Sequence, residues 1–246
     1  MAATNEYENF WRALHGRHSE HPAVRWRYHN VLRYISRNVP HNANVHDVGC
    51  SSGELLEKIK LIRPDLRLTG SDVSAEAVDV AAKKAIGEFF VADYCSSVPR
   101  ADLFGKFDLV ILSEVIEHVE KDEALLTSIA KLLKPGGVLY LSTQAGRRYR
   151  MDREVLGHLR HYEKSGLVGM LRKVGFDVVK ASSNGFPMLS LQKRLVDVFF
   201  DQIMPSVTSG KPTGTLQTFA MGATYWLWRL FPLPFGPQLV TVSVRR

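Results

Sequence analysis

The chain has 246 residues, 45% of them hydrophobic, enough for one α/β domain with insertions around a sizeable core. Two cysteines, Cys50 and Cys95, argue against a disulfide framework and suit a reducing cytosol, so a cytoplasmic location is expected. The net charge of +7 admits RNA or an anionic membrane as a partner, but it is split between Arg12 to Arg37 and Arg147 to Arg160, and a basic enzyme is the preferred reading.

The segment Met1 to Glu20 is polar and mixed in charge, unlike a signal peptide. No stretch reaches the roughly 18 apolar residues of a membrane span; the nearest, Phe219 to Phe231, is short and carries Arg229. Residues 1–42 read as an N-terminal helical extension, because Val24, Tyr28, Val31, Leu32 and Ile35 recur at helical spacing between Pro22 and Pro40. Strands and helices then alternate: strand Val45–Val48, helix Glu54–Ile62, strand Leu66–Gly70, helix Ala75–Ala85, strand Phe89–Val91, strand Phe107–Leu112, helix Asp122–Leu133, strand Gly137–Ser142, helix Lys164–Lys173 and strand Phe176–Ala181. Residues 183–237 break the rhythm with two apolar segments, Met188–Ile203 and Thr215–Leu230, around a turn-rich loop from Pro205 to Gly214. A last strand, Gln238–Val244, follows. The expected organisation is a core of residues 43–182 and 238–246, carrying a helical insertion. The alternation predicts an α/β fold with a mostly parallel sheet and helices on both faces.

The stretch Asp47-Val48-Gly49-Cys50-Ser51-Ser52-Gly53 joins the first strand to the first helix of this alternation. Small residues there let the backbone approach a ligand, and such a turn lies at the carboxyl ends of parallel strands. The pattern lacks the Gly-Lys-Ser/Thr of a P-loop and the Gly-x-Gly-x-x-Gly of a dinucleotide site. An acid before the first glycine would repel a pyrophosphate and accept a bond from an ammonium group. A ligand with a cationic end, such as S-adenosylmethionine, fits.

Asp72 follows Gly53 by nineteen positions, where an acid can bond ribose hydroxyls, while Ser74 can cap the next helix. Asp93 follows the third strand in Val91-Ala92-Asp93-Tyr94, where it can accept a bond from an adenine amino group, although Asp is common in such loops. The fourth strand runs into Ser113-Glu114-Val115-Ile116-Glu117-His118; on a helix, positions 114, 117 and 118 would share a face. Lys134-Pro135-Gly136-Gly137 reads as a tight turn into the fifth strand.

Taken in order, these motifs resemble the class I S-adenosylmethionine-dependent methyltransferases, over about residues 40–182 plus the last strand. The resemblance implies a Rossmann-like seven-stranded sheet with an antiparallel last strand. It also implies a cofactor site of Asp47, Gly49, Cys50, Ser51, Gly53, Asp72, Val73, Asp93, Tyr94, Ser113, Glu114 and His118. In it, Gly49 and Gly53 flank the methionine end, Asp72 holds the ribose, Asp93 the adenine, and Ser113 sits beside the cofactor.

Glu114-x-x-Glu117-His118 is similar to the ubiquinone-type O-methyltransferases and the small-RNA 3′-end methyltransferases, some of which bind a divalent metal through two Glu and two His. The corresponding set would be Glu114, Glu117 and His118 with His158 or His161 as the fourth ligand, His158 matching better by its placement before the following helix. Metal-free relatives share the Glu-His pair, and a metal is not the favoured reading. Oxygen methylation needs a base, and His is poised for that near neutral pH; the order of preference is His158, His118, His161. Surface His15, His18 and His41 are read as solvated.

In the run His21 to Tyr28, an Arg or Tyr can reach the cofactor carboxylate or an anionic substrate; the alternative is a basic outer face with Trp26 or Tyr28 packed on the core. The aromatic insertion (Phe199, Phe200, Phe219, Tyr225, Trp226, Trp228, Phe231, Phe235) reads as a substrate cap, a peripheral membrane contact or a subunit interface. The expected function is O-methylation of a small-molecule or lipid-like acceptor. The alternatives are a metal-assisted RNA 2′-O-methyltransferase, a small-molecule N-methyltransferase, and a cofactor-binding docking subunit.

Overall fold

Strand and helix alternate as the apolar pattern requires. The computed structural model describes residues 21–96, 100–202, 226 and 235–246. In chain order the elements are α1 (Pro22–Asn38), β1 (Asn44–Val48), α2 (Glu54–Ile62), β2 (Arg67–Asp72), α3 (Ala75–Ala82), β3 (Glu88–Val91), β4 (Phe107–Ser113), α4 (Asp122–Leu132), β5 (Leu133–Gln144), α5 (Lys164–Lys173), β6 (Phe176–Asn184), α6 (Met188–Val198) and β7 (Gln238–Arg245). The strands form one seven-stranded sheet in the order β3-β2-β1-β4-β5-β7-β6. It is parallel except for β7, which runs antiparallel to both β5 and β6.

Strand β4 shows why both faces are covered. Leu109 and Ile111 point to one face and Val110 and Leu112 to the other, and all four are buried. On the first face α1 and α2 supply Val31, Ile35, Leu55, Leu56 and Ile59. On the second, α4 and α5 supply Leu125, Ile129, Leu167 and Leu171. Helix α1 starts as its sequence predicts, with Pro22 in the first turn and His21 Nδ1 accepting from the Ala23 N–H at 3.3 Å.

Several boundaries differ from expectation. Helix α3 ends at Ala82 rather than Ala85, because the Lys84 and Ala85 N–H groups turn back to Ala81 and Ala82 and Ala85 takes φ 53°. The Lys134-to-Gly137 turn lies inside β5, not before it: Phe107 pairs with Leu133, Leu109 pairs with Val138, and the residues between bulge out of the ladder. Strand β6 runs to Asn184, past the expected start of the insertion at 183. Helix α6 covers Met188–Val198, and after a turn at Phe199 the chain is helical again over 200–202; Ile203 lies outside the described residues. The ends of the insertion meet: Phe186 and Phe235 have ring centroids 4.7 Å apart, and the Phe186 N–H donates to the Phe235 carbonyl at 3.1 Å.

The segment Thr215–Leu230 (Trp226 apart), the loop Pro205–Gly214, Phe231, His15, His18 and Arg12 lie outside the described residues. Among the described residues, no helix is long and apolar enough to cross a membrane, and both cysteines are free.

Candidate active site

The glycine turn sits at the carboxyl edge of the sheet. Gly49, Ser51 and Gly53 have φ of 76°, 48° and 76°, the left-handed region in which only glycine is unstrained. The Gly49 and Cys50 N–H groups donate to the Ser71 carbonyl at 2.8 and 3.0 Å, stitching the turn to the end of β2. A Cβ on Gly49 would stand 2.3 Å from Val115 Cγ2, and one on Gly53 3.1 Å from Ala81 Cβ. Asp72 closes the turn, accepting from the Ser51 N–H at 2.8 Å and the Ser74 N–H at 3.0 Å. Capping of α3 falls to Ser74, whose hydroxyl accepts from the Ala77 N–H.

Asp47 is buried beneath the turn. Burial first, and the Asp72 charge second, push its carboxyl up to about 8. Among the described residues it has no Lys or Arg partner, so an incoming cation would draw its proton off. This donor set fits a cofactor with an ammonium end. Behind Asp47, His46 Nε2 lies 3.0 Å from the Tyr94 hydroxyl and 3.1 Å from Ser71 Oγ, and burial lowers this imidazole to about 3. Tyr94 therefore points into the core. Asp93 turns back on its own loop, accepting from the Cys95 N–H at 2.8 Å and from the Ser96 hydroxyl. Val73 is exposed, Cys50 is buried, and Ser113 Oγ lies 2.8 Å from Ser142 Oγ.

The expected helical face of Glu114, Glu117 and His118 does not form. Glu114 takes φ 57°, its N–H continues the sheet by donating to the Ser142 carbonyl at 2.9 Å, and only Ile116–His118 makes a short 3₁₀ turn. The reversal at Glu114 sends the three side chains to different partners. The Glu114 carboxylate accepts from Arg27 Nη1 at 3.3 Å, from Gln238 Nε2 at 2.7 Å and from Gln144 Nε2. Glu117 is fully buried; Oε2 accepts from the Thr143 hydroxyl at 2.8 Å, and Oε1 has no hydrogen-bond partner. Burial first, then the Glu114 charge, raise the Glu117 carboxyl well above the carboxylate range.

His118 faces His158, with ring centroids 4.8 Å apart and planes nearly perpendicular. The loop after β5 is pinned to make this contact. The Leu159 N–H donates to the Glu117 carbonyl at 2.8 Å, Arg148 Nη1 donates to the His158 carbonyl at 3.0 Å, and Arg160 Nη1 reaches Asp122 at 2.8 Å. His158 Nδ1 lies 3.0 Å from His161 Nε2. Burial, ahead of charge effects, lowers His158 to about 2 and His161 to about 4, and it also lowers His118. Asp152 stands behind this pair, 4.0 Å from His158 and 3.8 Å from His161, and is neutralised by Lys193 Nζ at 2.8 Å. Lys193 comes from α6, which is also tied to the loop where Asp197 accepts from the Arg150 N–H at 2.8 Å.

Glu117, His118 and His158 offer ligand atoms within 4.8 Å of one another, and so do Asp152, His158 and His161. The first set fits a divalent ion, because it includes the orphaned Glu117 oxygen. The second carries the Lys193 ammonium, which opposes one. Glu114 belongs to neither set, its carboxylate being held by Arg27 and the two glutamines. Asp152, Lys193, Gln144 and Gln238 are absent from the sequence-based site. The glutamines had a signal: both are polar ends of apolar strands, and the register pairs them.

A family model described as a methyltransferase domain matches residues 23–181. A curated ubiquinone biosynthesis O-methyltransferase of Xanthomonas axonopodis pv. citri is 39% identical over 116 residues, which is 46% of this chain and 48% of the relative. The chain thus spans about half the length of the curated relatives it matches. Among solved structures, the complex between the Haloferax volcanii Trm112 methyltransferase activator and a methyltransferase matches with a TM-score of 0.65 at 20% identity, covering 97% of both chains. Haemonchus contortus phosphoethanolamine N-methyltransferase 2 with S-adenosyl-L-methionine matches with a TM-score of 0.60 at 15% identity, over 89% of this chain and 52% of that one. Both structural matches bear on the fold alone.

Proposed function

The chain belongs to the class I S-adenosylmethionine-dependent methyltransferases, and from that premise we propose that it methylates an oxygen of a small-molecule or lipid-like acceptor, with His118 as general base. The observation that carries this is the position of His118 at the end of the β4 edge. It lies near the Glu114 carboxylate and against His158. Oxygen as the acceptor atom is supported by the name of the curated relative.

When bound, S-adenosylmethionine supplies an electrophilic methyl on a positively charged sulfur. The turn Gly49–Gly53 and Asp72 would hold it, and Asp47 would release its proton to solvent on receiving the ammonium end. Helix α1 would help exclude water from the site, since it is joined to α6 and the end of β6: Trp26 packs on Leu189, and its indole N–H donates to Asn184 Oδ1 at 3.0 Å. During methyl transfer to the acceptor oxygen, the neutral His118 imidazole would take up the hydroxyl proton that this oxygen loses. The Glu114 carboxylate favours the imidazolium that results. His158 is 6% exposed and bonded to His161, which suits it to orienting His118 rather than meeting the acceptor. Among the three histidines, His118 therefore takes precedence as base.

The test is S-adenosylhomocysteine release with a panel of hydroxylated acceptors. His118→Asn should lower kcat by about 10²–10⁴-fold while S-adenosylhomocysteine binding is kept. An unchanged kcat would remove the base role. Binding without turnover on any acceptor would instead favour a docking subunit. The buried, partnerless Glu117 oxygen supports a second reading, in which Glu117, His118 and His158 hold a divalent ion that, when bound, supplies Lewis acidity. Loss of turnover on chelation, restored by Mg, Mn or Zn, would select it.

A further inference from the structure

A cavity of about 310 Å³ opens where β5 ends, beginning at Ala145. Ala145 directly follows Gln144, whose amide holds Glu114, so the cavity adjoins the edge where His118 lies. Three cations line it, Arg147, Lys164 and Lys193, against one carboxylate, Glu163. Lys193 is engaged by Asp152 at 2.8 Å. Among the described residues, neither Arg147 nor Lys164 is paired with a carboxylate. The Arg147 guanidinium lies 5.4 Å from the Tyr149 ring centroid, and Arg147 and Lys164 are both exposed. Tyr149 and Phe235 add aromatic wall. The Tyr162 hydroxyl is turned away into the core, donating to Asp122 at 2.9 Å, so this residue presents its ring rather than a polar group.

Aromatic walls under a mouth with two uncompensated cations suit an organic anion. A wholly neutral ligand would gain nothing from either charge. The volume is that of a small-molecule pocket. We propose that this cavity receives an acceptor bearing a carboxylate or phosphate, with Arg147 and Lys164 as counter-charges and Tyr149 and Phe235 against its organic part. The word acceptor rests on the methyltransferase reading; the anion site itself does not.

The experiment is calorimetric titration of the full chain at constant ionic strength, with benzoate, inorganic phosphate and uncharged benzyl alcohol as probes. Each titration is run with and without S-adenosylhomocysteine. Saturable binding of benzoate or phosphate, at least tenfold tighter than benzyl alcohol, is expected, and the tighter of the two anions identifies the group. Arg147→Gln with Lys164→Gln should weaken it at least tenfold. Glu163→Gln should tighten it, a change of opposite sign that loss of folding cannot mimic. Binding of benzyl alcohol as tight as the anions, or anion binding unchanged in the double variant, would overturn the assignment. Absence of S-adenosylhomocysteine binding would count against the methyltransferase reading, while the anion result would stand on its own.

Discussion

Arg27 and Glu114 meet at 3.3 Å and join helix α1 to the carboxyl end of β4. The two side chains are 15% and 13% exposed, so the pair is largely removed from water. Without Arg27, Glu114 would lose a charged donor and keep the amide donors of Gln144 and Gln238. Arg27→Gln should therefore cost about 1.5–3 kcal/mol of stability, the range for hydrogen bonds to charged groups. Urea unfolding at pH 7 measures it. A loss under about 0.5 kcal/mol would mean the pair behaves as a solvated one.

Gly49→Ala should destabilise the fold and weaken S-adenosylhomocysteine binding together. The new methyl would stand 2.3 Å from Val115 Cγ2, and the backbone there has φ 76°. The left-handed conformation alone costs a non-glycine residue about 1–2 kcal/mol. Adding Val115→Ala relieves the clash and leaves the backbone cost, so the double variant should recover part of the loss. Thermal unfolding and calorimetry on both variants check this. Full recovery would put the whole effect in the side-chain contact.

The contrast between Gly49 and Glu114 shows how far local sequence reaches. Strand, turn and helix around Gly49 follow from an apolar run, glycines and a helical pattern, all within about fifteen residues. The β4 run was legible for the same reason, as was the alternation that builds the sheet. Glu114 is different. Its carboxylate is held by strands β5 and β7 and by α1, whose residues Gln144, Gln238 and Arg27 are 30, 124 and 87 positions away. A helical spacing rule applied to 114, 117 and 118 cannot contain those partners. The pinning of His158 to His118 through Leu159 and Glu117 is likewise a long-range backbone bond that no periodicity signals.

Asp47 should make cofactor affinity depend on pH. Its folded-state value of about 8 lies above the ordinary 3.8, so the folded protein holds this proton more tightly than the unfolded chain does. Stability from this group is fully present below pH 3.8 and is lost as the pH rises towards 8. A bound ammonium group favours the ionised form, so S-adenosylhomocysteine should bind more tightly as the pH goes from 6 to 8. Asp47→Asn should flatten that profile, weaken binding at pH 8, and remove the alkaline loss of stability. Calorimetry across the pH range reads the affinity, and an unchanged profile in the variant would assign the dependence to another group.

The histidine pair acts at the acid side with the opposite sign. His158 and His161 are lowered to about 2 and about 4 from 6.5, so both stay neutral in the fold and take up protons on unfolding. Their stability is present above pH 6.5 and is lost as the pH falls towards those values. The urea midpoint should fall steadily from pH 6.5 to 4, and His158→Gln should make that decline shallower whatever it does to stability at pH 7. An equally steep decline in the variant would place the acid sensitivity elsewhere, His46 being the next buried imidazole.

Glu117→Gln separates the two chemical readings of the site. In the absence of a metal, burial and then the Glu114 charge favour the protonated form of this carboxyl, of which glutamine is close to an isostere. The glutamine oxygen can still accept from Thr143. Stability should then change by less than about 1 kcal/mol, a surface-like effect at a fully buried position. Turnover should stay within tenfold and be indifferent to chelator. If Glu117, His118 and His158 hold a divalent ion instead, the wild type should gain about 2.7 kcal/mol of stability when the ion stands at a hundred times its dissociation constant. The variant would lose most of that gain together with its activity. Unfolding midpoints with and without added Mg, Mn or Zn, measured on wild type and variant alike, decide between the two without requiring the acceptor to be known.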